Sequence, residues 1–211
     1  MSTKNTNKLN RFTTLPFLID LLRTKKLILL NPKSWEDHND TDILLDYKEK
    51  NSIKSLLALC FTDESETIHH WKTFSNGESG CCIEFNKTEL LSLLEKDKRI
   101  DHRKVNYPLI EKADKVATED IPFTKRRPYE CENEYRVIMK IDDLDVMFFP
   151  INIPLNCITK VTLSPRLPAS AFNSIREVLL TLIGNEKLEI NPSTIFKNEE
   201  WINGFKKRST I

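Results

Sequence analysis

The sequence predicts one α+β domain with mixed or antiparallel sheets flanked by a few helices. Three observations predict it. Short apolar runs such as Leu27-Ile28-Leu29-Leu30 and Leu56 to Phe61 have strand length and end at turn residues. Leucines recur at helical spacing in LPFLIDLLRTKKL and in KTELLSLLEKDKR. No internal repeat and no low-complexity linker divides the chain. The expected organisation is a flexible N-terminal lead over 1–10, a single domain over 11–195 and a C-terminal extension over 196–211.

In chain order, Arg11-Phe12-Thr13 opens as a short strand. A helix follows from Leu15, with Pro16 accepted in its first turn. Leu27 to Leu30 is a buried strand stopped by Asn31-Pro32. NPKSWEDHNDTD, with almost no aliphatic residue, is expected to be a loop. Lys48 to Ser55 is a short helix or connection before the strand Leu56 to Phe61. Gly80 to Phe85 is a strand, and KTELLSLLEKDKR a helix. Lys104 to Tyr107 is a candidate strand, and 110–124 a linker or helix. Glu132 to Ile141 and Val146 to Phe149 are strands around an Asp142-Asp143 turn. Val161 to Leu163 is a late strand, Ala169 to Ile183 an amphipathic helix, and Leu188-Glu189-Ile190 closes the core.

Bulk composition narrows the class. Of 211 residues, 39% are hydrophobic and 30% charged, as in a soluble globular protein with a sizeable core. No stretch reaches the ~20 apolar residues of a membrane-spanning helix, so no membrane partner is expected. The polar start MSTKNTNKLNRF lacks a signal-peptide core. Five cysteines without a paired framework suit reduced thiols and a cytoplasmic location. A formal net charge of +1 gives no global pull toward nucleic acid. Lys125 and Arg126, with Arg127, form the local exception that could contact phosphate or nucleic acid.

The chemistry concentrates in RRPYECENEYRVIM, Arg126 to Met139. If this stretch is extended, Glu130, Glu132 and Glu134 share a face, and Tyr135, Val137 and Met139 fill the other. Glu132 and Glu134, two apart, can address one ligand, and their repulsion can shift a pKa. Such a pair suits an oxocarbenium-like transition state. Arg136 lies on the same face. An exposed strand with Glu–Arg pairs remains the alternative. Glu36, Asp37, His38 and Asp40 lack metal-ligand spacing, and Cys81-Cys82 in a strand point to opposite faces, so no metal is expected. Glycine fingerprints of nucleotide cradles are absent; the chain has only four glycines against ten prolines.

Taken together, RFTTLPFLIDLLRTKKLILLNPKSWEDHND, LALCFTDESETIHHWKTFSNGESGCCIEF, VNYP, FTKRRPYECENEYRV and CITKVTLSP resemble the bacterial family catalogued as domain of unknown function 2971, from about Arg11 to Ile190. Tyr129 stands where that family tends to have Trp, and Trp35 to Asp40 where it has a Phe-Asn-Asp-Pro-like loop. More distantly, the order of a strand Arg, a helix, a short strand ending near Ser and a late Glu-x-Glu strand is similar to ADP-ribosyltransferases. That resemblance implies NAD as a substrate, with Arg11 holding it, Glu134 as the catalytic acid and Glu132 as the acid that helps choose or activate the acceptor. The middle position stays open between Ser34, Trp71 and Ser75. Trp35, Trp71 or Phe74 would stack on a base, and Arg136 would assist cofactor binding.

The resulting expectation is an NAD-consuming transferase or glycohydrolase, a toxin or phage-defence effector with an unknown acceptor and a restraining partner protein. A non-catalytic nucleotide or nucleic-acid sensor is the first alternative. A metal-dependent nucleic-acid hydrolase is the second.

Overall fold

The computed structural model describes residues 7–75, 77–184 and 188–206. In chain order the elements are β1 (Lys8–Thr14), α1 (Leu15–Thr24), β2 (Lys26–Leu30), α2 (His38–Lys50), β3 (Ser55–Thr62), α3 (Ile68–Thr73), β4 (Gly80–Asn86), α4 (Lys87–Leu94), β5 (Ile100–Lys104), β6 (Glu134–Ile141), β7 (Phe148–Asn152), β8 (Ile158–Leu163), α5 (Ala169–Ile183), β9 (Glu189–Pro192) and α6 (Glu199–Lys206). Short 3-10 turns fill the stretch between β5 and β6.

All described strands join one mixed sheet, ordered β5-β6-β3-β1-β4-β8-β9, with β2 and β7 branching from β3. Only β8 and β9 run parallel. The run SLLALCFT of β3 is apolar on both sides because both faces of the sheet are covered. Leu57, Leu59 and Phe61 enter the main core with Leu18, Leu22, Leu90 and Leu179 from α1, α4 and α5. Leu56 and Ala58 point the other way, against Leu44 and Tyr47 of α2 and Phe123.

One edge of β3 carries β6 along its whole length, from Ser55 opposite Ile141 to Thr62 opposite Glu134. Its other edge is shared. β2 meets it at Ala58, and β1 meets it at Thr62. The sheet therefore forks between these two points, and a cleft opens over the fork.

Several sequence expectations need correction. β1 starts at Lys8, inside the stretch read as a lead, because Leu9 is wholly buried in the core. The supposed loop at 31–42 gives way to a helix from His38. Asp37 caps it by accepting from the backbone N–H groups of Asn39 and Asp40. Its buried face, Asp40, Leu44 and Tyr47, has helical spacing, but it begins with a carboxylate and so lacks an apolar signature. β5 lies at 100–104 rather than 104–107, and β7 at 148–152 rather than 146–149. Both pair on one side only, so neither needs a clean apolar alternation, and Pro150 is tolerated within β7. The C-terminal stretch contains α6, all of whose residues are exposed.

Gly80, at the start of β4, packs tightly against the turn that follows α3. A Cβ there would lie 2.6 Å from Ser75 Cβ. Gly80→Ala is expected to lower stability by roughly 1–3 kcal/mol through overpacking, read as a lower urea midpoint. An unchanged midpoint would mean that this turn yields freely.

Candidate functional site

The cleft over the fork has a volume of about 590 Å³. Its floor is β3 from Ala58 to Thr62, and its sides are β1, the start of α2, the end of α3 and the turn before β6. Arg11 reaches across the fork, and its Nη1 donates to the Cys60 carbonyl at 3.1 Å. Burial lowers the Arg11 pKa, with Cys60 and Cys81 acting against it.

Glu134 and Arg136 sit on one face of β6, as period-two alternation requires, with Tyr135, Val137 and Met139 in the core behind. Arg136 is fully buried. Its Nε donates to Glu134 Oε1 at 2.6 Å and its Nη2 to Glu134 Oε2 at 3.0 Å. The same guanidinium donates to both Asp40 carboxylate oxygens at 2.9 and 2.6 Å and to the Pro122 carbonyl at 3.1 Å. These five contacts use all five guanidinium N–H groups. Arg136 is therefore no cofactor ligand. It anchors Glu134 from behind, and Trp35 lies over its charge at 5.4 Å.

Burial alone would push the Glu134 carboxyl up. Arg136, Lys125 and the Cys60 thiol outweigh that and hold it at about 2. Glu132 reaches the same place by another route. The segment before β6 is a 3-10 turn, Arg127–Glu132, and Asn133 takes a left-handed conformation at φ 44°. The acids thus converge through a turn rather than along an extended strand, and Glu130 is left exposed beside Arg127. Lys125 Nζ bridges the pair, 2.7 Å from Glu132 Oε2 and 3.5 Å from Glu134 Oε2. Asp40 lies 3.7 Å away and Asp37 4.0 Å. Burial would lower the Lys125 pKa, but Glu134, Glu132 and Asp40 raise it on balance. Burial raises the Glu132 carboxyl, with Lys125 offsetting part of the effect.

Of the residues singled out in the sequence, Arg11, Trp35, Phe74, Lys125, Glu132 and Glu134 line this cleft. Three do not. Ser34 donates its hydroxyl to the Asn31 carbonyl. Trp71 is buried against Phe12 and donates to Glu66 Oε2 at 2.8 Å. Ser75 is buried and donates to the Trp71 carbonyl. None of these three lines the cleft, which α3 and its C-terminal cap supply with His70, Thr73 and Phe74. Arg126 lines a second cleft, bounded by α2 and the 3-10 turns. Asp37 and Asp40 enter the sequence reading only in a metal set that the spacing rejects, and His70 and Tyr129 carry no ligand role there; all four line the cleft. The Asp37 cap followed by Asp40, Leu44 and Tyr47 at helical spacing was the signal available for the first two. Cys81 enters the main core while Cys82 packs with Phe12 and Trp71, on opposite faces of β4.

No family model matches the chain, and no curated protein does, so the resemblance to domain of unknown function 2971 gains no support. Among solved structures, the chain is similar to Thermus sp. 2.9 DarT in complex with NAD+, at 8% identity and a TM-score of 0.45, covering 91% of this chain and 98% of that one. The same protein in complex with carba-NAD+ gives 8% identity, a TM-score of 0.44, and 90% and 96% coverage. Among the described residues, no helix is long and apolar enough to cross a membrane.

Proposed function

We propose that the cleft binds NAD and cleaves its nicotinamide–ribose bond, as an ADP-ribosyltransferase or an NAD glycohydrolase. One observation carries this reading: Glu134 is an ionised carboxylate held in place in the cleft lining, with a guanidinium, that of Arg11, across the fork. Breaking the bond releases neutral nicotinamide and builds positive charge on the ribose. A prepositioned anion in a poorly hydrated site stabilises that charge without reorganising. The nicotinamide ring itself is cationic, which suits the acidic end formed by Asp37, Asp40, Glu132 and Glu134. Arg11 suits the pyrophosphate, and Trp35 or Phe74 the flat bases.

Within this reading, a ribose hydroxyl donates to Glu134 Oε2, taking up acceptor capacity that the long Lys125 contact leaves free. Glu132, the less acidic of the pair, receives the proton of the incoming nucleophile. Water as nucleophile gives ADP-ribose; a group on another molecule gives the transfer product. Unrestrained NAD loss suits a toxin or phage-defence effector with a restraining partner, and the unpaired thiols suit the cytoplasm. The hydrolase alternative fits less well, because Asp40 and Glu134 already accept from Arg136 through both carboxylate oxygens, and the Lys125 ammonium lies between Glu132 and Glu134, where a divalent metal would sit.

Incubation with NAD is expected to release nicotinamide, followed by chromatography. Arg11→Ala should raise KM for NAD about tenfold, the effect of losing ~1.4 kcal/mol of charge-assisted contact. NAD binding by calorimetry without any release would favour the sensor. Neither binding nor release would remove the NAD reading.

A further inference from the structure

The turn that carries Glu132 is held in place by side chains. Asn133 is left-handed without being glycine, which costs energy unless its surroundings impose it. Thr62 Oγ1 donates to the Asn133 carbonyl at 3.2 Å, and the Asn133 amide donates to Glu64 Oε1 at 2.8 Å. The Glu132 carbonyl, at the end of the 3-10 turn, meets His70 Nε2 at 3.1 Å.

We propose that His70 is a positioning residue for the acid pair, its Nε2–H holding the Glu132 backbone so that the carboxylate stays in the cleft beside Glu134. This rests on the NAD-cleaving reading of the cleft. The hydrogen-bond network assigns the proton. Thr67 Oγ1 accepts from the His70 backbone N–H at 3.1 Å and lies 2.9 Å from His70 Nδ1. The Glu132 carbonyl can only accept, so the ring proton lies on Nε2, and Nδ1 of the neutral ring accepts from the Thr67 hydroxyl. The ring is 1% exposed and stacks on Phe12 at 4.9 Å, so its direction is set by packing. It also lines the cleft beside Phe74, so α3 supplies the cleft wall and the hold on Glu132 together.

The test compares His70→Phe, which keeps a flat ring but has no donor, with His70→Gln, whose amide can donate from a similar place. Amide hydrogen exchange is read over the turn at 128–133, alongside nicotinamide release. Faster exchange confined to that turn in His70→Phe, largely restored in His70→Gln, is the expected result. With it, kcat should fall about tenfold while KM for NAD moves less than about threefold, the mark of a misplaced catalytic group rather than a lost contact. Unchanged exchange in the turn, or a rise spread evenly over the whole sheet in both variants, would overturn the proposal. The two readouts separate the failures: a wild-type protein that releases no nicotinamide removes the NAD reading, whereas the exchange comparison decides the role of His70 in either case.

Discussion

Arg136→Met is expected to lose about 3–5 kcal/mol of folding stability, the range for stripping one partner from a buried ion pair. A typical domain holds only about 5–15 kcal/mol, so this single change would bring the protein near its unfolding limit at room temperature. The cost does not come from lost packing, since methionine fills much of the space. It comes from Asp40 and Glu134, both nearly inaccessible to solvent, losing four guanidinium hydrogen bonds between them, while the Pro122 carbonyl loses a fifth. Arg136→Lys should recover little, because an ammonium group offers three donors where the planar fork offers five.

The pH dependence supplies a sign that packing loss would not. In the wild type, the folded-state pKa of Glu134 is about 2, below its ordinary 4.5. Its stabilising contribution is complete above 4.5 and is lost as the pH falls toward 2. In Arg136→Met the same carboxyl is buried without that cation, so its pKa rises above the ordinary value. The penalty then eases as the pH falls and the acid takes up a proton. Urea midpoints measured between pH 7 and pH 4 should show the gap between the two proteins narrowing. A constant gap would contradict the ion-network account.

Glu134→Gln is expected to reduce nicotinamide release by about 10²–10³-fold, the usual loss when one prepositioned electrostatic partner of a transition state is removed. The substitution also disturbs the fold, because the new amide nitrogen would face a donor of Arg136 where a carboxylate oxygen stood. Activity must therefore be read under conditions where the variant is shown to be folded. Glu132→Gln offers the contrast. Its carboxylate contacts Lys125 rather than Arg136, so stability should change less. If Glu134→Gln stays folded and retains near-full release, the oxocarbenium role assigned to it fails.

Much of the site's geometry was visible locally. Alternation in EYRVIM places Glu134 and Arg136 on one face and the apolar residues on the other, because side chains in a strand must point to opposite sides. The polar SWEDHND stretch was opaque for a related reason. Its helix buries Asp40 where a core-facing helix would ordinarily show an apolar residue, and a buried carboxylate makes sense only beside a cation. That cation, Arg136, lies 96 residues away in sequence. Ser34 and Trp71 illustrate the converse: residue type and approximate position were suitable, but local hydrogen bonding and packing turned them to structural uses.

From the sequence by itself came the α+β class, the strand at β3, the helix at Ala169–Ile183 and the pairing of faces on β6. These follow from steric periodicity within short windows, which each segment carries wherever it is placed. Tertiary structure alone decided the fork in the sheet, the left-handed turn that brings Glu132 to Glu134, and the fate of Arg136 as an anchor rather than a ligand. Those depend on which distant charges and strand edges meet. The pairing of Asp40 with Arg136 is fixed by docking and the exclusion of water, and no short window of sequence contains both partners.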